Sequence, residues 1–114
     1  MSLVSYRKVQ AAACTPRSHE RRLVAEITGE MIACWAAGQR GAQLMPVLHR
    51  NREMWTVFSS ACGAQGNELP AEVRASIISL ALWVDRFTSA VIARQKEITA
   101  LVEVNQDMLE GLMN

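Results

Sequence analysis

The side chains able to do acid–base, nucleophilic or metal chemistry are few and scattered. There are two histidines, His19 and His49, and three cysteines, Cys14, Cys34 and Cys62. A zinc site needs several imidazole, thiolate or carboxylate ligands at short spacings such as His-Glu-x-x-His, and neither histidine belongs to one. His49 and Glu53 stand one helical turn apart, the spacing of an exposed helix pair. A cysteine nucleophile needs a base held beside it, and nothing in the sequence pairs a histidine with any thiol. The glycines at Gly38–Gly41 and Gly63–Gly66 lack the Lys-Ser/Thr that completes a phosphate loop. The expectation is a protein that is not an enzyme and takes no cofactor or metal. The odd, widely spaced cysteines read as small buried hydrophobes in a reducing cytoplasm.

Polar chemistry of another kind sits on the apolar stripes. Asn51 and Asn105 fall where neighbours at helical spacing are apolar. A buried amide left unpaired costs about 1–3 kcal/mol, so each is expected to find partners and fix the register of the fold. Charge is uneven. Residues 1–40 carry six basic and three acidic side chains, and residues 67–114 carry four basic and seven acidic ones. The bland account is two solvated halves that attract weakly. The sharper one is an RNA-contacting patch at Arg17, Arg21 and Arg22, without the interleaved aromatics of a known RNA module.

These residues must be positioned by helices. Val4–Cys14 reads as a short Ala-rich helix. Thr15-Pro16 has the look of a helix start, Thr as N-cap and Pro at the first helical position. Leu23, Ile27, Met31, Cys34 and Trp35 then form one apolar face, ended by Gly38-Gln39-Arg40-Gly41. A helix over Leu44–Cys62 carries Leu44, Val47, Leu48, Asn51, Trp55, Phe58 and Cys62, with Pro46 in its first turn. Gly63–Asn67 makes a turn, and Leu69-Pro70 opens the next helix. From Val73 to Val91 that helix is apolar nearly all round, which marks an element surrounded by others or covered by a partner. Ile98, Leu101, Val102, Asn105, Leu109 and Leu112 stripe the last helix, with fraying expected at Gly111-Leu112. Trp35, Trp55 and Trp83 lie at core spacing. Ile78, Leu82 and Trp83 are candidates to line a groove that takes another helix, and homodimerisation would use the same surplus.

No strand-like alternation competes, so the fold class is all-α, a single helical bundle of four to five helices over residues 1–114. The length of 114 residues, half of them apolar, is enough for one core without disulfides. That composition excludes the disordered class. The run Ile77–Val84 is stopped by Asp85-Arg86 and is too short to span a bilayer, so no membrane insertion is expected. The net charge of +1 argues against a partner held by charge alone.

Several blocks, in order, resemble one family. They are Tyr6; Thr15-Pro16-Arg17 with Glu20; Asn51-Arg52-Glu53-Met54-Trp55; Asn67-Glu68-Leu69-Pro70; Leu80 with Trp83-Val84; and Leu101-Val102 with Asn105 and Gly111-Leu112. Together they resemble the FlaF family of flagellar biosynthesis regulators, over nearly the whole chain. Ser18 and His19 depart from the acidic and aliphatic pair usual there. The resemblance implies a cytoplasmic, non-enzymatic helical protein that promotes flagellin synthesis and secretion. As a flagellin export chaperone it would bind the terminal amphipathic segments of flagellin, opposite a repressor of the FlbT type. The alternative is an RNA-contacting activator of flagellin translation. Asn51, Trp55, Asn67, Pro70 and Asn105 are expected to hold the bundle in shape. Arg17, Glu20 and Arg52 are expected to contact partners. Arg52 follows a stripe residue and should point away from the core, so Arg52→Ala is expected to leave the thermal midpoint nearly unchanged.

Overall fold

In the computed structural model the described residues are 14–113, with side chains described for 19–111. Four helices follow in order: α1 (Cys14–Ala36), α2 (Met45–Gly63), α3 (Ala71–Ile92) and α4 (Thr99–Met113), with a 3-10 turn over Gly41–Leu44 before α2. No strand occurs among the described residues. The helix expected over Val4–Cys14 lies outside them except for Cys14.

Helix α1 already contains Cys14, so Thr15 lies inside it and is not its N-cap, contrary to the sequence reading. The physical reason lies with Pro16. A proline anywhere in the first turn removes only an N–H that has no intrahelical partner, so it marks a first turn without fixing the first residue. The inward face of α1 keeps Ile27 and Met31 of the expected stripe but takes Val24 in place of Leu23. Val24, Ile27, Thr28 and Met31 are buried, whereas Leu23 is 37% exposed. Cys34 and Trp35 are half-buried.

Helix α2 follows its stripe: Leu44, Val47, Leu48, Asn51, Trp55, Phe58 and Cys62 are all buried, joined by Met54. Pro46 sits in its first turn. Pro70 occupies the N-cap position of α3, with extended backbone, and its carbonyl accepts from the Arg74 N–H at 3.0 Å. Helix α4 runs through Gly111 and Leu112 to Met113, so the helix does not end at the expected fraying point.

Two helices end in the same hydrogen-bond motif with different residues at its left-handed position. At the end of α1, Gly38 N–H donates to Trp35 O and Gln39 N–H to Cys34 O, with Gly38 at φ 86°. At the end of α3, Arg94 N–H donates to Val91 O and Gln95 N–H to Ala90 O, with Arg94 at φ 61°. Both are Schellman caps, which satisfy the last carbonyls of a helix and normally take glycine.

The helices pack as an α2–α3 hairpin and an α1–α4 pair, joined mainly where α1 lies on α2. Helix α3 makes no backbone approach to α1 and meets α4 only lightly. It is therefore an outer element. Among its 22 residues only Val84, Thr88 and Val91 are buried. Among the described residues it is not surrounded by other helices, contrary to one of the two sequence readings.

Candidate functional site: a polar node in the core and an open helix flank

The two asparagines singled out by their place on apolar stripes meet at the centre of the molecule. Asn105 Nδ2 donates to Asn51 Oδ1 at 2.8 Å and to Thr28 Oγ1 at 3.1 Å. Its Oδ1 accepts from the Trp55 indole Nε1 at 2.9 Å. Thr28 passes its own hydroxyl proton back to Val24 O at 2.6 Å. Helices α1, α2 and α4 are thus tied through one amide. Asn51, Thr28 and Asn105 are fully or almost fully buried. Asn51 contributes as an acceptor, and its Nδ2 has no hydrogen-bond partner. No titratable group takes part, so the node serves as a register pin rather than a catalytic centre.

The turn between α2 and α3 is tied by Asn67. Its Nδ2 donates to Ala61 O at 2.9 Å and its Oδ1 accepts from Leu69 N–H at 3.0 Å. Arg74 Nε adds a bond to Leu69 O at 3.0 Å.

Arg52 does not point free into solvent. Its Nη2 donates to Asp85 O at 2.9 Å and to Ser89 Oγ at 3.0 Å. Its Nε stands 3.0 Å from Asp85 Oδ1, an ion-pair distance whose angle is too bent for a hydrogen bond. Arg52 thus clamps α2 to α3, with its side chain 31% exposed. A residue one step off the buried face can still reach the neighbouring helix, so Arg52→Ala is now expected to cost some stability rather than none. Glu20 is half-buried, Arg21 and Arg22 are exposed, and the Arg17 side chain lies outside the described ones. His49 and Glu53 pair at 2.9 Å on the surface, and Arg50 binds Glu30 across α2 and α1. No cluster of three or more metal-ligand side chains exists among the described residues.

The apolar surplus of α3 can now be divided by angle, each residue advancing about 100°. Ile77, Ala81, Val84, Thr88 and Val91, at spacings of four and three, face the core. Ile78 and Leu82 share a flank with Asp85 and Ser89, the side clamped by Arg52. Leu80, Trp83 and Phe87 share the opposite flank, where Trp83 stacks on Phe87 at 4.7 Å and both, half-buried, pack against the edge of the core. Glu72, Ser79 and Arg86 form the polar back. Ile78, Leu82 and Trp83 therefore do not line one groove, as the sequence suggested, because 82 and 83 diverge to either side of the buried strip. Leu82 is 60% exposed and Leu80 is 37% exposed. Sequence reading missed Val57 of α2, which is 65% exposed. It lies two residues beyond Trp55, off the α2 stripe, and that phase was the available signal.

By length and composition α3 is also long and apolar enough to cross a membrane, although only 17% of its most apolar window is buried within the chain. The eight-residue run read from sequence understates it. Ala75, Phe87, Ala90, Val91 and Ile92 beyond that run keep the helix apolar on average, and Asp85 and Arg86 are too few to offset them.

Fold and site together define a small all-helical protein whose buried amides tie its helices together and whose exposed large apolar side chains include Leu80 and Leu82 of the outer helix α3 and Val57 of α2. A family model described as flagellar protein FlaF matches residues 2–112, nearly the whole chain, and the protein belongs to that family. No curated protein and no solved structure matches it.

Proposed function

We infer that this flagellar protein binds newly made flagellin in the cytoplasm, holding an amphipathic terminal segment of the client until export and thereby promoting flagellin synthesis. The observation that carries this reading is the outer helix α3, apolar along much of its length yet with Leu80 and Leu82 exposed and only Val84, Thr88 and Val91 buried. A helix that packs through one strip and leaves Leu82 in solvent offers an amphipathic client helix the same kind of surface it offers α2. Client segments that are disordered before assembly would fold as they bind, so specificity would come from the spacing of apolar anchors rather than from charge.

Titration calorimetry of the full chain with monomeric flagellin tests this. Binding with a negative heat-capacity change, abolished by Leu82→Asp, supports it. Absence of binding at micromolar protein contradicts it, as would flotation of the free chain with vesicles, or a dimer that leaves no face open. The translational-activator alternative places its contacts at Arg17, Arg21 and Arg22, of which Arg21 and Arg22 are exposed. It requires affinity for flagellin leader RNA that falls steeply with salt, a response the chaperone reading does not share.

A further inference from the structure

At the end of the molecule where α1 and α3 stop and α4 begins, a cavity of about 510 Å³ opens between the two Schellman caps. Trp35, Phe87 and Val91 supply its apolar wall, and Arg40, Arg94 and Lys96 supply its charge, with Glu97 as the one acid. The cations are not equivalent. Arg40 is committed to the fold: its Nη1 donates to Trp35 O at 2.9 Å and Gln39 O at 2.7 Å, and its guanidinium lies 3.4 Å from the centre of the Trp35 ring. Arg94 and Lys96 are exposed, and neither makes an ion pair with any described residue.

Arg94 stands where glycine is the less strained choice. Its φ of 61° is the left-handed cap position that Gly38 fills in the equivalent motif of α1. An L side chain there is disfavoured, so the side chain is not explained by the turn itself. The chain also makes room for it. Gly41, whose φ of 59° already favours glycine, leaves the guanidinium arm room against the backbone at the cavity's edge, since a Cβ there would come within 2.7 Å of Arg94 Nε.

We propose that this cavity binds an acidic peptide segment, its carboxylate between Arg94 and Lys96 and a neighbouring apolar side chain against the half-buried Phe87 and Trp35. An excess of cations over a single acid selects an anion, and the apolar wall selects one carried beside a hydrocarbon group. A nucleotide base is a poorer occupant, because one face of Trp35 is covered by Arg40 and Phe87 is stacked on Trp83. The proposal does not depend on the flagellin reading, which rests on a different part of α3.

The test uses the full chain, labelled with nitrogen-15, and a blocked hexapeptide carrying one Glu beside one Leu. The Gln counterpart of that peptide and inorganic phosphate alone serve as comparisons. The expected result is a saturable shift of the Trp35 indole and of the amides from Gln95 to Ala100, weakened by added salt. Arg94→Gly, compatible with the cap, should keep the unfolding midpoint and reduce affinity at least about tenfold. Lys96→Gln and the Gln peptide should weaken binding in the same sense. Absence of any shift, undiminished affinity in Arg94→Gly and Lys96→Gln, or phosphate binding as tightly as the peptide would overturn the assignment.

Discussion

At the scale of single residues, Asn105 does the most. Its one amide bonds three side chains on two other helices. Asn105→Ala leaves the Trp55 indole N–H unpaired and removes the donor to Asn51 and Thr28. Loss of about 2–4 kcal/mol is expected in denaturant unfolding, well above a surface substitution. Trp55→Phe separates the bond from the packing and should cost about 1–2 kcal/mol, less than the roughly 3–5 kcal/mol of Trp55→Ala. Arg52→Ala should cost about 1 kcal/mol through the lost contacts to Asp85 and Ser89, partly screened by solvent. That both asparagines are buried is legible from their place on apolar stripes. That they bond to each other is not, because 54 residues separate them and no local pattern encodes the pairing. Arg52 escapes sequence reading for a related reason. Its orientation relative to its own helix is clear, but its reach depends on where α3 packs.

At the scale of elements, glycine reports how each helix ends. Gly38→Ala places a Cβ at φ 86° in the cap of α1 and should lower stability by about 1 kcal/mol. Gly29 is the opposite case, exposed within α1, where an added Cβ would meet no atom within 4 Å. Gly29→Ala should raise the thermal stability by about 0.5–1 kcal/mol. The pair of substitutions, measured by calorimetry on the same chain, separates cap geometry from helix propensity. Helices α2 and α4 are readable almost residue by residue, because their apolar positions repeat at three and four without interruption. Helix α1 reads one residue out of phase at Leu23 and Val24, where two adjacent aliphatic residues give the period no way to choose. Its start is misplaced at Thr15 because a proline tolerates several positions in a first turn.

At the scale of the whole molecule, function turns on the balance of one domain's apolar residues against its core. The surplus on α3 is visible in the sequence and has two explanations, a helix enclosed by its own chain or a helix covered by something else. Among the described residues α3 packs principally on α2 and leaves Leu80 and Leu82 exposed, which favours the second. The client proposed for it is not encoded in a local pattern; family membership supports a flagellar role for the chain. The most direct measurement is titration calorimetry of monomeric flagellin into the wild-type chain and into Leu82→Asp, with far-ultraviolet circular dichroism confirming that the variant is folded. The account predicts micromolar or tighter binding to the wild type and none to the folded variant. Undiminished binding by Leu82→Asp, or no binding by the wild type, would contradict it.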